Sequence, residues 1–298
     1  MPHSGLPFDV PMAQPQTGLL HQLSRNSTPY QDPLVRVRWD ALDMGSFWLP
    51  LQALSLYGDP AFDAMPVDRK RALSQYEFLY FIQGALWLES LFMERISRAL
   101  PRQQANLPKA VYRLHELREE AGHSLMFLEL MQRSGLTLPR AQFRRLNLTN
   151  LLGRHAPSES TVFWIAVLIG EEVPDRMNRM IRKHRDEISP TVYDIISVHL
   201  MDEARHIAHA RDTLDGLIGH LPVWQRWGIA PLMKAVFRQF VQAFYFPSPE
   251  VYELAGLTPG HQWARAARRN LYRARFVDEC VATALRLLRE RGLRLDWR

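Results

Sequence analysis

The sequence predicts an all-α fold, a bundle of helices in a single domain. Apolar residues recur at spacings of three and four almost everywhere after about residue 72, as they do in amphipathic helices. Alternating apolar and polar runs of strand length with hairpin turns are missing. In addition, the pattern Glu-x-x-His occurs in two of the predicted helices, as in bundles that hold metal ions in their core.

Six helices follow from this periodicity, separated by segments rich in Pro, Gly and Ser. They are expected near 72–98, 109–134, 159–187, 190–215, 223–244 and 262–291. Residues 1–33 are rich in Pro, Ser, Gln and Asn without steady periodicity, which predicts an irregular N-terminal arm. Residues 34–298 are then expected to form one domain.

The composition excludes several classes of protein. The net charge of +6 comes almost entirely from arginines spread along the chain, which argues against nucleic-acid binding. Cys280 is the only cysteine, so neither an intramolecular disulfide nor a cysteine-based zinc site is possible. Residues 1–16 lack the pattern of a signal peptide, and the longest apolar run, 162–170, is too short to span a membrane. We therefore expect a cytoplasmic protein that binds no membrane.

Two segments combine a glutamate with a histidine three residues later. They are REEAGH, which contains Glu120 and His123, and MDEARH, which contains Glu203 and His206. On a helix the two members of each pair lie one turn apart on the same face, so a carboxylate oxygen and an imidazole nitrogen can reach one point.

Two further glutamates lie at matched distances from these motifs. Glu89 precedes Glu120 by 31 residues, and Glu172 precedes Glu203 by 31 residues. At a rise of about 1.5 Å per residue, a helix, a turn and a returning helix bring each pair of carboxylates back to a similar height. Four glutamates and two histidines at one level of a bundle core predict a ferritin-like fold with additional helices and a carboxylate-bridged di-iron or di-manganese site.

Charge supports this prediction, since four carboxylates neutralise two divalent ions, whereas four buried carboxylates without metal would be very costly. The alternative is a solvated charged face on each helix. The apolar runs LWLESLF around Glu89 and VLIGEEV around Glu172 argue against that alternative.

Several neighbouring residues are candidates for smaller roles. His199 shares the face of Glu203 and His206, so it is either a seventh ligand or a buried neighbour. Glu116 faces the same way as Glu120 and stays open as a ligand. We hypothesise that Asp202 orients His123 and that Glu119 orients His206, because metal-bound imidazoles usually donate their second N–H to an acid. The alternative is that both are surface acids.

Beyond these patterns, the sequence resembles the di-iron N-oxygenases typified by the p-aminobenzoate N-oxygenase of aureothin biosynthesis and the arylamine oxygenase of chloramphenicol biosynthesis. The resemblance rests on EEAGHSLMF at 119–127, EEVPDRMNRM at 171–180 and HLMDEARHIAHAR at 199–211. Similar enzymes hold their irons with four glutamates and three histidines, which implies that His199 is a ligand. The implied ligands are Glu89, Glu120, His123, Glu172, His199, Glu203 and His206.

The resemblance also implies an activity. Two iron ions, with manganese as a substitute, would activate O2 and oxidise an amine through the hydroxylamine and nitroso levels, sometimes to nitro, in secondary-metabolite biosynthesis. The sequence has no flavin or nicotinamide fingerprint, so an external donor such as a reductase or ferredoxin would supply the electrons. A homodimer is a further expectation for the assembly of this protein.

The substrate and the reaction stay open between several alternatives. An aryl amine with a carboxylate could be bound by an arginine on the last helix, for which Arg269, Arg273 and Arg275 are the candidates. An amino-acid-type amine is equally compatible. The rival functions are a di-iron C-hydroxylase or other oxidase, a ferritin-like iron-binding protein without enzymatic activity, and a metal-free helical interaction protein.

Overall fold

The computed structural model describes residues 18–103, 105–140 and 148–298. This part of the chain is largely helical and contains no β-strand, so the all-α prediction is confirmed. Its α-helices are α1 Gly18–Asn26, α2 Pro33–Arg36, α3 Pro60–Asp63, α4 Val67–Gln103, α5 Leu107–Ser134, α6 Leu148–His155, α7 Thr161–Lys183, α8 Pro190–Ile218, α9 Val223–Tyr245, α10 Pro249–Leu254, α11 Gly260–Arg269 and α12 Leu271–Glu290. No helix in these residues is both long enough and apolar enough to cross a membrane.

Five of the six predicted helices appear as α4, α5, α7, α8 and α9, with ends that differ by a few residues. The sixth prediction, one helix over 262–291, is wrong because the helix is interrupted at Asn270. The Asn270 side chain accepts from the N–H of Tyr272 and so caps α12, while its Nδ2 donates to the carbonyl of Tyr57. Such side-chain to backbone bonds compete with a continuous helix, although the apolar periodicity runs through the break.

The segment predicted as an irregular arm, residues 1–33, contains a helix. Residues 1–17 lie outside the described part of the chain, whereas Gly18–Asn26 form α1, which packs on α5 and α8. At Gly122 on α5, an added Cβ would lie 2.5 Å from the Tyr30 hydroxyl and 2.9 Å from Pro33. The missing side chain therefore lets the N-terminal segment contact α5 next to His123.

Four long helices form the bundle that positions the site. α4 and α5 are joined by a short connection, as are α7 and α8, and short connections make such neighbours antiparallel. α5 and α8 pack together and join the two pairs, while α9 packs on both α4 and α7. The helix starts are fixed by side chains: Asn106 accepts from the N–H of Lys109 at α5, and Ser160 accepts from that of Phe163 at α7.

A single hydrophobic core runs through the molecule from Val37 to Leu293. Trp48, Trp164, Phe240 and Phe244 are among its fully buried side chains. Each large side chain removed from water stabilises the fold by about 1.5–3 kcal/mol, so this core can carry the cost of burying a polar cluster inside the bundle.

Candidate metal centre

Seven titratable side chains from the four bundle helices converge in the core. They are Glu89 on α4, Glu120 and His123 on α5, Glu171 on α7, and His199, Glu203 and His206 on α8. None of them is more than 7% exposed. We call this set the seven-residue cluster.

The cluster divides into two groups, each of which could hold one metal ion. One group is Glu89, His123 and His199, and the other is Glu120, Glu171, Glu203 and His206. Within each group the ligand atoms lie within 4.8 Å of one another. The groups also touch, because His123 Nδ1 lies 3.5 Å from Glu120 Oε2 and 3.4 Å from Glu203 Oε1. The geometry therefore suits two adjacent ions that share carboxylates.

The structure corrects one member of the sequence-based set: Glu171, and not Glu172, belongs to the cluster. Glu172 is equally buried but binds Arg211, whose Nε lies 3.0 Å from Glu172 Oε1. Spacing along the chain fixes the height of a residue on its helix, whereas neighbours differ by only about 1.5 Å in height and by about 100° around the axis. The matched spacing of 31 residues selected Glu172, because spacing carries no information on rotation about the helix axis.

The outer nitrogens of two cluster imidazoles contact the acids that were expected to orient them. Asp202 Oδ2 lies 3.3 Å from His123 Nε2, and Glu119 Oε2 lies 2.9 Å from His206 Nε2. Both Nδ1 atoms are thereby left for the cluster. A carboxylate on the far nitrogen fixes the tautomer and the orientation of a ligating imidazole.

Sequence reasoning missed two other members of this outer layer. Arg205 donates to Glu119 at 2.7 Å and to Asp202 at 2.9 Å, which ties the two acids together. Its position three residues after Asp202 on the same helix was an available signal. The amide of Asn178 lies 3.3 Å from His199 Nδ1, which leaves His199 Nε2 facing Glu89 and Glu203 at 3.4 and 3.2 Å. No local spacing indicates this contact, because Asn178 lies on α7.

The crowding of buried acids and imidazoles shifts their pKa values. Burial lowers the pKa of His123, but hydrogen bonds to Asp202 and Glu120 and the charge of Glu203 outweigh it and raise that pKa to about 10. The same balance, with Glu203 and Glu89 as partners, raises the pKa of His199 to about 9. Burial, together with the charge of Glu203, raises the pKa of Glu171 well above its ordinary value. The cluster is therefore short of positive charge.

Three buried ligand atoms of the cluster have no hydrogen-bond partner, and they show whether metal ions fit this site. Glu89 Oε1, Glu120 Oε2 and His123 Nδ1 are buried and have no hydrogen-bond partner. A buried polar atom without a partner costs about 1–3 kcal/mol, more when it is charged. Metal ions would satisfy all three atoms, and oxygen-rich ligation with imidazole suits iron or manganese. The residues present thus fit a dimetal centre.

Glu116, which the sequence left open as a ligand, belongs to a second buried group. Its Oε2 accepts from Arg113 at 3.2 Å, and its Oε1 lies 3.3 Å from His209 Nδ1. Arg113 also lies 4.6 Å from the centre of the Trp164 ring. Burial opposes ionisation of Glu116, but Arg113 and His209 lower its pKa to about 2. We call Arg113, Glu116 and His209 the arginine-balanced network.

A narrow cavity lies against the cluster between α4, α5, α7, α8 and α9. Apart from cluster residues it is lined mainly by apolar side chains, among them Phe81, Phe92, Phe127 and Phe244. The space that water-sized molecules can occupy is about 20 Å³, which is room for about one water. A substrate larger than a few atoms therefore requires lining side chains to move.

The arginines suggested for substrate binding do not line this cavity. Arg273 is buried elsewhere, where its guanidinium donates to the carbonyls of Ala53 and Tyr245. Arg269 and Arg275 are exposed. None of the three arginines therefore offers a partner for a substrate in this cavity.

Comparison with known proteins identifies the relatives of this chain. Residues 14–292 match the family model described as P-aminobenzoate N-oxygenase AurF. An uncharacterised protein of Mycobacterium tuberculosis is 25% identical over 234 residues, which cover 77% of this chain and 68% of that protein. A counterpart from Mycobacterium bovis is similar to the same extent.

Solved structures share the fold. A mutant of an R2-like ligand-binding oxidase with an aerobically reconstituted Mn/Fe cofactor gives a TM-score of 0.57 at 15% identity and covers 99% of this chain and 100% of its own. Another mutant with an Fe/Fe cofactor gives 0.55 at 15% identity over 96% and 94% of the two chains. The predicted ferritin-like class is confirmed, and the family and the fold together support an oxidase with a dimetal centre.

Proposed function

We propose, since the chain belongs to the P-aminobenzoate N-oxygenase AurF family, that it is a non-haem di-iron enzyme that uses O2 to oxidise the nitrogen of a small amine. The observation that carries this proposal is the seven-residue cluster. Four buried carboxylates and three imidazoles converge there, and three of their ligand atoms have no hydrogen-bond partner. We further propose that residues 34–298 act as one unit and that the protein works in the cytoplasm.

In this proposal Glu89, His123 and His199 hold one iron, and Glu120, Glu171, Glu203 and His206 hold the other. Four carboxylates balance two divalent ions, so the filled site would be close to neutral in a medium where net charge is costly. Asp202 and Glu119 accept hydrogen bonds from the outer N–H groups of His123 and His206, which orients each ring with Nδ1 towards the metal. Manganese could replace iron at either position, because the ligand set suits both metals.

The first oxidation balances as R–NH2 + O2 + 2 e⁻ + 2 H⁺ → R–NHOH + H2O. One oxygen atom forms the new N–O bond and the other leaves as water, so the step needs two electrons that the amine does not supply. We propose a separate electron donor, such as a ferredoxin or a reductase. When bound, the di-iron centre supplies the reduction and activation of O2.

The protein's own contribution is to bind, orient and exclude water. The phenylalanines of the cavity wall keep bulk water from the cluster, which strengthens every electrostatic interaction inside. Phe81 and Phe244 contact each other with ring centres 5.5 Å apart, and Phe127 lies 5.3 Å from the His199 ring. This wall also leaves a space beside the cluster that is suited to a molecule as small as O2.

The direct test is product analysis with the reconstituted protein. The chain is loaded with Fe(II), supplied with electrons and ¹⁸O2, and offered a panel of aromatic and aliphatic amines. We expect hydroxylamine, nitroso or nitro products that carry ¹⁸O on nitrogen. A filled di-iron site that oxidises no amine nitrogen would refute the proposal.

The same measurement separates the rivals. Label on carbon would indicate a hydroxylase on the same scaffold. An iron-binding protein without enzymatic activity would consume O2 with Fe(II) alone and show no dependence on the amine. A Glu120→Gln variant serves as the control, because it keeps the fold of α5 while removing one ligand charge.

A further inference from the structure

The cavity beside the cluster carries a charge pattern that restricts the substrate. Its described lining includes one acid outside the seven-residue cluster, Asp175, but neither a lysine nor an arginine. An anionic group at the end of a substrate that points away from the cluster would therefore enter a buried space beside Asp175 without a lysine or arginine among the lining residues. Burying an unpaired charge is strongly unfavourable, so the lining disfavours carboxylates.

Asp175 gives this cavity a specific acceptor. The residue is 4% exposed, and its Oδ1 is buried without a hydrogen-bond partner. Its other oxygen accepts from Arg179 Nε at 2.6 Å. The Arg179 side chain is 48% exposed and does not line the cavity, so it holds Asp175 from the outside and leaves Oδ1 free.

Two neighbours strengthen the acceptor character of this wall. Pro174 has no N–H, so it cannot donate to the carbonyl of Gly170 one turn earlier, and both residues line the cavity. Asn178, one turn after Asp175 on the same face, has a buried Oδ1 without a partner. A ligand that donates hydrogen bonds would satisfy atoms that the protein leaves unpaired.

The position of Asp175 sets a distance from the reacting centre. Asp175 follows Glu171 by four residues on α7, so the two lie about 6 Å apart along the helix axis. One aromatic ring with substituents at opposite ends spans about that length. Once lining side chains move to enlarge the cavity, a molecule of this length can present an amine to the cluster at one end and a hydrogen-bond donor to Asp175 at the other.

We propose that this site selects amines whose far end is a neutral or cationic N–H donor bound by Asp175 Oδ1, and that it disfavours aryl amines whose far end is a carboxylate. The proposal rests on the proposed function, because it assigns the reacting amine to the cluster. It makes the substrate class of this chain differ in charge from the p-aminobenzoate that names its family.

The test compares three aryl amines that differ only in the para group. They are 4-aminobenzylamine, which is cationic, 4-aminobenzamide, which is neutral, and 4-aminobenzoate, which is anionic. Binding to the Fe(II)-loaded protein is measured by calorimetry without O2, so no turnover is needed. We expect 4-aminobenzylamine to bind at least about 10-fold more tightly than 4-aminobenzoate, as a hydrogen bond to a charged group usually achieves. Equal affinities, the reverse order or binding of none of the three would overturn the proposal.

Variants assign the preference to Asp175. Asp175→Asn keeps the shape and an acceptor oxygen but removes the charge, so 4-aminobenzylamine should bind about 10-fold more weakly while 4-aminobenzamide changes little. Asp212→Asn, at an exposed position on α8, is the matched control and should change neither. A folded Asp175→Asn protein with an unchanged charge preference would overturn the assignment. If that variant does not fold, the wild-type comparison of the three amines still decides.

Failure of this inference and failure of the proposed function look different. Tighter binding of 4-aminobenzoate, with oxidised nitrogen formed from it, would overturn the charge preference and leave the N-oxygenase proposal standing. Tighter binding of 4-aminobenzylamine, without oxidised nitrogen from any amine, would do the opposite.

Discussion

Two buried groups of glutamate and histidine lie one turn apart in the same bundle, and they are balanced in different ways. The arginine-balanced network uses Glu116 and His209, and the seven-residue cluster lies one turn away on each helix, with Glu120 one turn after Glu116 and His206 one turn before His209. In the network Arg113 supplies the positive charge, and the pKa of Glu116 falls to about 2 despite its burial. In the cluster the ion-pair partners of Glu89, Glu120 and Glu203 among the described residues are imidazoles.

The difference shows what a metal site requires of a protein interior. Similar side chains on the same two helices form a closed structural pair where the chain provides the cation. In the cluster, where the ion-pair partners are imidazoles, three ligand atoms lack hydrogen-bond partners and the pKa values of His123 and His199 are raised. The cluster therefore demands positive charge from outside, which two divalent ions supply.

The largest expected effect comes from exchanging the same residue type in the two groups. Glu120→Gln removes a ligand charge from the cluster, so we expect it to lose iron and to reduce amine-dependent O2 consumption by well over about 100-fold, since even outer-layer changes cost about 10- to 100-fold. Glu116→Gln should keep two irons per chain, because Glu116 binds Arg113 and His209 instead. Elemental analysis and oxygen uptake provide the readout, and equal iron loss in both variants would erase the distinction.

The second effect concerns stability and should be confined to the network. Arg113→Met leaves the buried Glu116 carboxylate without its cation, which should lower the free energy of unfolding by about 3–5 kcal/mol. Iron content of the folded protein should not change. Arg182→Met, at an exposed position on α7, is the control and should stay within about 0.5 kcal/mol of the parent. Urea unfolding of the two variants measures the difference, and an equal loss in both would show that Glu116 does not depend on Arg113.

A smaller effect is expected in the outer layer of the cluster. Asp202→Asn weakens the acceptor for His123 Nε2, and we expect metal affinity to fall by about 10- to 100-fold with little loss of helicity. Competition with a chelator measures this affinity. The exposed Asp212→Asn should bind metal as the parent does, so unchanged affinity in Asp202→Asn would remove Asp202 from the site.

The smallest effect on iron content and activity is expected for Glu172, which is adjacent to the proposed ligand Glu171. Glu172→Gln should keep both irons and retain most activity, because the amide oxygen of the substituted side chain can still accept from Arg211. Glu171→Gln serves as the reference and should lose iron. The reverse pattern would restore the ligand set inferred from matched spacing.

Much of the site could be predicted from the sequence because it depends on local helical geometry. The members of each Glu-x-x-His pair lie on one face of their own helix, and His199 shares the face of Glu203 and His206. The contacts of Asp202 and Glu119 follow from their positions next to these ligands in the sequence. What could not be predicted depends on how one helix is rotated against another. The choice of Glu171 over Glu172 and the role of Asn178 both arise on α7, whose rotation is set by contacts with α8 and α9.

The fold shows the same division. Periodicity predicted the long helices, since an amphipathic stripe marks each of them. It did not predict the break at Asn270, where one side chain bonds the backbone of Tyr57, which is distant in sequence. It also did not predict α1, which packs on α5, a helix distant in sequence.

Whether the seven-residue cluster binds two metal ions is tested most directly by the iron stoichiometry of the full chain after anaerobic loading with Fe(II) and removal of unbound metal. We expect two irons per chain, and about two per chain again in Glu116→Gln but fewer than one in Glu120→Gln. Fewer than one iron per chain in the parent protein would contradict the claim that the cluster is a dimetal centre.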